Sequence, residues 1–203
     1  MMYAKPIETV YRGYRFRSRL EARWAVFFDA VGLEFEYEKE GFDLGDGIKY
    51  LPDFWIPSLN LWIEVKGDLN FEDQEKGGKY SYFSHPVLKL MRKFRDSQPW
   101  PVACIFGQPG QHRIWFFAWD MSYSSAGEFE DDDAFWCVSN GKVTLNVHIL
   151  NSDRDIYADR LYGPKLDHFT YARDYDYAIK PIQNALKPAR RARFEYGEKP
   201  HVR

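Results

Sequence analysis

The stretch YLPDFWIPSLNLWIEVKG, residues 50–67, decides the fold because it contains two apolar runs joined by PSLN, residues 57–60. Each run has the length and composition of a β-strand, and the short connection between them predicts an antiparallel hairpin. The first run nevertheless carries Asp53, and the second carries Glu64 and Lys66. Two carboxylates and an ammonium group in an otherwise apolar hairpin require a physical explanation.

The register of this hairpin is predicted to place its charged side chains together. Side chains alternate along a strand, so Glu64 and Lys66 project from one face. The other face is aliphatic and consists of Leu61, Ile63 and Val65. With the turn centred on Ser58 and Leu59, Asp53 lies directly opposite Glu64. Opposed side chains have Cβ atoms about 4.5 to 5.5 Å apart, where like charges destabilise the pair.

Lys66 compensates this repulsion only in part, and a hard divalent cation would complete the compensation. Mg²⁺ is commonly held by one or two carboxylates together with water and phosphate oxygens. An ammonium group beside such a cation would orient or deprotonate a water molecule, or stabilise charge on a phosphate. The pattern therefore indicates metal-assisted hydrolysis of a phosphodiester bond.

The pair Pro52-Asp53, followed after ten residues by Glu64-Val65-Lys66 on an apolar strand, resembles the PD-(D/E)XK nuclease superfamily. This superfamily includes many restriction endonucleases, archaeal Holliday-junction resolvases and transposon end-cleaving nuclease subunits. The resemblance covers about residues 11–120. It implies an α/β, restriction-endonuclease-like core: a helix, a three-strand antiparallel meander, a second helix and further strands. Residues 121–203 would form a mixed β and helical C-terminal extension.

The resemblance also implies the roles of the site residues. Asp53 and Glu64 would bind Mg²⁺ together with the backbone carbonyl of Val65, and Mn²⁺ would substitute for it. Lys66 would assist the attacking water, and cleavage would leave 5′-phosphate ends. Glu21, in SRLEARW, matches a glutamate that many members carry on the upstream helix, where it would complete the site or hold a second metal.

The first helix is predicted over residues 18–31, where apolar side chains recur at helical spacing. Ser18 is its N-cap and Gly32 its stop. Ser18 and Glu21 also form the pattern of a capping box, in which the glutamate accepts the backbone N–H of Ser18. Both this structural role and the metal-site role of Glu21 stay open.

Further elements alternate between strands and helices. EFEYE, residues 34–38, predicts a half-buried strand, and residues 85–97 predict an amphipathic helix whose apolar face is Val87, Leu90, Met91 and Phe94. PVACIFG is typical of a covered central strand, and RIWFFAWDM predicts its neighbour.

The last part of the chain gives weaker signals. FWCVSNGKVTLNVHIL predicts a hairpin turning at Asn140 and Gly141, and residues 166–194 look helical with interruptions at Pro181 and Pro188. We expect all 203 residues to form a single domain, since 45% of them are hydrophobic.

Composition limits the function. The formal net charge of −2 excludes a general polyanion binder, so a DNA substrate must meet local basic patches. The candidates are Arg12, Arg15, Arg17, Arg19, Lys79, Lys89, Arg92 and Lys93. The two cysteines and five histidines lack metal-ligand spacing, and no signal peptide or membrane span is recognised. A soluble, cytoplasmic protein is expected, without membrane partners.

Three functions therefore compete. The first is a Mg²⁺-dependent endonuclease acting on DNA, of the kind also found in phages and mobile elements, with the C-terminal part serving a homodimer or a protein partner. The second is an inactive module on the same fold that binds nucleic acid or protein. The third is an inhibitor that mimics nucleic acid through the acidic segment at residues 128–133.

Overall fold

The computed structural model describes residues 7–67, 86–117, 132–139, 142–148 and 175–194. Within these ranges the chain is mixed α/β, as predicted, with a mixed seven-stranded sheet and three α-helices. The strands are β1 (Thr9–Tyr11), β2 (Tyr14–Phe16), β3 (Glu36–Tyr37), β4 (Phe42–Asp43), β5 (Lys49–Tyr50), β6 (Phe54–Ile56), β7 (Leu61–Lys66), β8 (Val102–Gln108), β9 (Gln111–Phe117), β10 (Asp132–Ser139) and β11 (Lys142–His148). The helices are α1 (Arg19–Ala30), α2 (Pro86–Asp96) and α3 (Tyr175–Arg191).

The large sheet has the strand order β11-β10-β9-β8-β7-β6-β3. Strands β7 and β8 are parallel, while the neighbouring pairs β3–β6, β6–β7, β8–β9, β9–β10 and β10–β11 are antiparallel. Strand β8 occupies the centre of this order, which confirms the covered position predicted for PVACIFG. The pairs β1–β2 and β4–β5 form separate two-stranded hairpins.

The decisive hairpin has the predicted register. Phe54 pairs with Ile63 and Ile56 pairs with Leu61, and a 3₁₀ turn over Pro57–Leu59 connects the two strands. The first run is not one strand, however. Residues 49–50 form β5, which pairs with β4, and the chain bends before β6 begins at Phe54. The bend contains Pro52, which has no N–H to donate to a ladder.

The two faces of the sheet are covered by different helices. Phe27 and Phe28 of α1 belong to the same buried cluster as Ile63 of β7, and α3 joins this cluster through Ile182 and Ala185. On the other face, α2 packs its apolar side chains against a cluster built from Leu88, Met91, Phe94, Trp62 and Trp115. Alternate residues of β7 thus enter opposite layers, as its sequence predicted.

Helices α1 and α2 end within one residue of their predicted bounds. The hydroxyl of Ser18 accepts the Glu21 N–H at 3.2 Å, which confirms Ser18 as the N-cap. In α2, Leu88 is buried together with Met91 and Phe94, whereas Val87 and Leu90 are only partly buried. The predicted apolar face was therefore rotated slightly from the buried one.

The prediction that Pro181 and Pro188 interrupt the last helix is wrong, because α3 continues through both. Each proline removes one backbone donor, which normally breaks a helix. The opposing contribution is tertiary: Ile182, Ala185 and Ala189 are buried in the cluster that contains α1. Packing of an amphipathic face supplies most helix stability in proteins.

The C-terminal strands extend the same sheet. Strands β10 and β11 pair antiparallel up to Ser139 and Lys142, which confirms the predicted hairpin strands, while residues 140–141 lie outside the described residues. Asp132 and Asp133 of the predicted acidic loop belong to β10, and residues 128–131 lie outside the described residues. In the described part of the chain, no helix is both long and apolar enough to cross a membrane.

His112, near the β8–β9 turn, is held in its neutral form. Its ring packs edge-on against Trp24 at a centroid distance of 4.8 Å, and Nδ1 accepts the Gly110 N–H at 3.2 Å. Burial lowers the pKa of His112 from 6.5 to about 4. An unfolded chain therefore binds a proton at this side chain between these two pH values, whereas the folded chain does not.

We expect His112 to make the fold sensitive to acid. Since the unfolded state binds the extra proton, the free energy of unfolding falls as pH drops from 6.5 to 4, by about 1.4 kcal/mol per pH unit at most. In His112→Gln this fall is absent. Urea denaturation between about pH 7 and pH 4 measures it, and parallel pH profiles of the two proteins would contradict the assignment.

Candidate active site

Asp53 and Glu64 are brought together as the register predicted. Each side chain is 2% exposed. Asp53 lies in the bend before β6, and its Oδ2 accepts the backbone N–H of Val65 at 2.7 Å. The aspartate is therefore fixed to β7 one residue beyond Glu64, and its own carbonyl accepts the N–H of Glu38 at 2.9 Å.

The Glu64 carboxylate is held from both sides. Lys66 Nζ donates to Oε1, and the hydroxyl of Tyr50 donates to Oε2 at 2.5 Å. The Tyr50 hydroxyl also lies 3.8 Å from the sulfur of Met91 in α2. Tyr50 was not among the predicted site residues, because the sequence suggested one continuous strand rather than a bend that turns this side chain toward Glu64.

Arg17 forms an ion pair with the other buried carboxylate, that of Asp53. Its guanidinium donates to Asp53 Oδ1 at 2.7 Å, and its Nε lies 2.7 Å from Oε1 of Glu38. Arg17 was predicted as a nucleic-acid contact, and the structure places it inside the carboxylate cluster with half of its side chain exposed. Glu38, like Tyr50, was not predicted.

Glu21 adjoins this group from the first turn of α1 and is 7% exposed. Its Oε1 accepts from the Ser18 hydroxyl at 2.6 Å. Its Oε2 accepts from the Tyr37 hydroxyl at 2.6 Å and from the Arg17 N–H at 3.1 Å. The backbone amide that the glutamate satisfies is thus that of Arg17, one residue before the amide that a capping box predicts.

Electrostatics in the cluster favour added positive charge. Burial raises the pKa of Asp53 well above its usual range, and the nearby carboxylates of Glu64 and Glu21 raise it further, against the Val65 N–H and Lys66, which lower it. The cluster holds the carboxylates of Glu21, Glu38, Asp53 and Glu64. Arg17 and Lys66 contribute one positive charge each against these four groups.

Lys66 is an ammonium group at neutral pH. Burial alone would lower its pKa, but the contact with Glu64 and the charge of Asp53 raise it overall. Burial and the Glu64 charge also raise the pKa of Tyr50, so its hydroxyl stays protonated and donates. Cys104, which pairs with Glu64 across β7 and β8, has its pKa raised by burial and by the same carboxylate.

The donor chemistry of the site fits Mg²⁺ or Mn²⁺. Asp53 and Glu64 supply carboxylate oxygens, and the Val65 carbonyl is a third oxygen donor of the kind that hard cations prefer. In the described part of the chain, no three His, Cys, Asp or Glu side chains form a cluster able to hold a metal ion. The set that fits a cation is therefore two side chains and one main-chain oxygen.

The remaining predicted basic residues have different surroundings. Arg12 pairs with Asp29, which lies eight residues after Glu21 on α1 and so about 12 Å along that helix. Arg15 pairs with Glu8 on the β1–β2 hairpin. Neither ion pair includes one of the four carboxylates of the cluster.

Helix α2 supplies the other predicted contacts. Lys93 pairs with Asp46 at 2.6 Å, Lys89 is exposed, and Arg92 is partly exposed, as is Arg19 at the start of α1. Lys79 lies outside the described residues. The structure thus gathers Glu21, Asp53, Glu64, Lys66 and Arg17 in one place, and the other predicted basic side chains are distributed over several surfaces.

Comparison of the chain with protein-family models, with curated proteins and with solved structures finds no match.

The contacts of Glu21 lead to a test of its two roles. As an anchor of the α1 N-terminus, Glu21→Gln should lower the free energy of unfolding by about 1 kcal/mol, the typical effect of losing a cap. Ser18→Ala should have a similar effect. Urea denaturation measures both.

Mn²⁺ titration of the same variants separates the roles. Unchanged Mn²⁺ affinity in Glu21→Gln means that the residue acts structurally, and Ser18→Ala is the matched control. A loss of Mn²⁺ affinity in Glu21→Gln alone, with no loss of stability, would contradict the anchoring role.

Proposed function

We propose that this protein is a divalent-metal-dependent nuclease that hydrolyses phosphodiester bonds of DNA, most simply as an endonuclease. The observation that carries the proposal is the joining of Asp53, in the bend before β6, with Glu64 and Lys66 of the adjacent strand β7. Both carboxylates are buried and the lysine contacts one of them directly. Burial of like charges is costly, and a metal ion bound for hydrolysis would compensate the two carboxylates.

The order of elements supports a restriction-endonuclease-like core. Helix α1 precedes β3, β6 and β7, which form an antiparallel meander, and α2 then leads to β8, which is parallel to β7. The small β4–β5 hairpin is inserted between β3 and β6. This succession is the one implied by the resemblance of the sequence to PD-(D/E)XK nucleases.

Asp53, Glu64 and the Val65 carbonyl would hold Mg²⁺. When bound, the metal supplies an activated water and positive charge against the phosphate oxygens. The contact with Tyr50 and Lys66 fixes the orientation of the Glu64 carboxylate. Arg17, which contacts Asp53 Oδ1, would have to withdraw from at least that oxygen, and its half-exposed side chain has room to turn toward a phosphate.

Lys66 serves as a proton donor and charge stabiliser. Its raised pKa keeps the amine charged at neutral pH, so it orients a water molecule or contacts the phosphate rather than removing a proton. Ammonium groups aimed at developing negative charge stabilise the transition state. Of the roles that the sequence left open for Lys66, we therefore propose orienting a water molecule or stabilising phosphate charge, and not deprotonating the water.

A catalytically inactive binding module is the second candidate, and one observation favours it. In the structure, Arg17 pairs with Asp53 and Lys66 pairs with Glu64, so each carboxylate already has a cationic partner. Such pairs would suit a fold that keeps its shape without metal. Measurement of catalysis distinguishes the two candidates.

Cleavage should require metal and the Glu64 carboxylate. A panel of supercoiled plasmid, linear duplex, single-stranded DNA, branched DNA and RNA is incubated with Mg²⁺ or Mn²⁺. Wild type should cut at least one DNA substrate, and Glu64→Gln should reduce the rate by more than about 100-fold, since the carboxylate is a ligand. Glu40→Gln, which changes an exposed carboxylate, is the matched control. Cutting by Glu64→Gln at the wild-type rate would contradict the proposal.

Lys66 should be needed for cleavage and not for metal binding. Lys66→Gln should lower the cleavage rate by about 10² to 10⁴, the usual contribution of a positioned proton-transfer group. Its Mn²⁺ affinity should equal or exceed that of wild type, because a cation is removed from beside Glu64. Calorimetric Mn²⁺ titration and single-turnover cleavage measure the two effects, and joint loss of both would assign Lys66 a structural role instead.

A further inference from the structure

The end of α3 carries a concentrated positive charge. Residues 178–194 contain five of the chain's 28 Lys and Arg and none of its 30 Asp and Glu. Four of these cations lie in the last turns of the helix or just beyond it, and all four residues are exposed: Lys187, Arg190, Arg191 and Arg193. We call these four side chains the α3 basic surface.

The α3 basic surface differs from the cations around the carboxylate cluster in its pairing. Arg17 and Lys66 each contact an Asp or Glu. Within the described ranges, the α3 basic surface forms no ion pair with any residue. Its charge is therefore available to an external anion.

The inner face of α3 fixes this surface in place. Ala185, Ala189 and Ala192 are buried in the cluster that contains α1. Arg23 of α1 donates from Nε to the carbonyl of Ala192 at 3.3 Å. The residue that follows α3 is thereby attached to the helix whose first turn carries Glu21, so the basic surface and the carboxylate cluster belong to one packed unit.

The surface also lies at the end of the sheet where β7 and the carboxylate cluster end. Arg190 Cδ lies 4.0 Å from the position that a Cβ would occupy on Gly110, in the β8–β9 turn. This turn follows the carboxyl end of β8. Strand β7 runs parallel to β8, with Lys66 paired to Phe106. Neighbouring strands such as β7 and β8 lie about 4.8 Å apart. The basic surface and Lys66 therefore lie at the same end of the sheet, the one formed by the carboxyl ends of β7 and β8.

Helix electrostatics alone do not account for this composition. Cations near a helix C-terminus interact favourably with the helix dipole, but the effect is confined to the last turn. Arg193 lies beyond the end of α3 and Lys187 lies one turn before the last residues. Guanidinium groups match phosphate oxygens in a bidentate geometry, which suits three closely spaced arginines to a phosphodiester backbone.

We infer that the α3 basic surface binds the phosphate backbone of duplex DNA and directs the duplex across the end of the sheet that holds Asp53, Glu64 and Lys66. The identity of the ligand rests on the proposed nuclease function. The contacts are sequence-independent, since phosphate contacts position a duplex without reading its bases. The surface therefore adds a binding element from the C-terminal part of the chain to a site built from the N-terminal part.

The test is DNA binding without cleavage. A fluorescent duplex of about 20 base pairs is titrated in EDTA, at about 50 to 300 mM KCl, with wild type and with Arg190→Gln/Arg191→Gln/Arg193→Gln. The matched control removes three exposed lysines elsewhere, as Lys39→Gln/Lys49→Gln/Lys142→Gln. Thermal unfolding of both triple variants verifies that they fold, and Arg→Lys changes at the three α3 positions test whether charge suffices.

The arginine variant should bind the duplex at least about 10-fold more weakly than wild type at about 100 mM KCl. The slope of log K against log[salt] should become shallower by about 0.9 for each phosphate that the variant no longer neutralises. The lysine control should keep the wild-type slope, and the Arg→Lys variant should recover most of the affinity. Equal losses in the two Gln variants, no loss in either, or no binding by wild type would each overturn the inference.

This experiment is independent of catalysis. Loss of binding in the α3 variant, with no Glu64-dependent cleavage of any substrate, would retain the surface and reject the nuclease. Metal-dependent cleavage that is unaffected by the α3 variant at every salt concentration would retain the nuclease and reject the surface.

Discussion

The hydrogen bond that the Val65 N–H donates to Asp53 Oδ2 is the constraint on which the site depends. It fixes a buried carboxylate to β7 immediately beside Glu64. A pair of buried like charges needs compensation, and the neighbouring elements provide it in parts. Arg17 reaches Asp53 from the segment between β2 and α1, while Lys66 reaches Glu64 from the end of β7. The bend before β6, the segment before α1 and the end of β7 are thereby joined at one point.

This arrangement costs stability. Removing an ion from water costs several kcal/mol even after structural relaxation, and the raised pKa of Asp53 shows that its compensation is incomplete. Residues chosen for stability alone would be apolar here, as in the rest of β6 and β7. A divalent cation would relieve the excess negative charge. The buried carboxylates that cost the fold stability are therefore the same groups that the proposed activity requires.

The sequence predicted those parts of the site that follow from strand periodicity. Alternation and the turn length placed Asp53 opposite Glu64, and the register of β6 and β7 agrees. The positions of Arg17 and Tyr50 depend on tertiary contacts that periodicity does not encode. The same limit explains α3, where Pro181 and Pro188 suggested a break but burial of Ile182 and the neighbouring alanines outweighs the lost hydrogen bonds.

The measurement that tests the account most directly is Mn²⁺ affinity as a function of pH in wild type and Asp53→Asn. A carboxylate must lose its proton to bind a cation, and the raised pKa of Asp53 means that protons compete with the cation at higher pH than at an ordinary aspartate, whose pKa is about 3.9. Wild-type affinity should therefore begin to fall at a higher pH than an ordinary aspartate ligand would allow, and Asp53→Asn should bind at least about 10-fold more weakly at the pH where wild type binds most tightly. Equal affinity of the two proteins at that pH would contradict a cation site at Asp53 and Glu64.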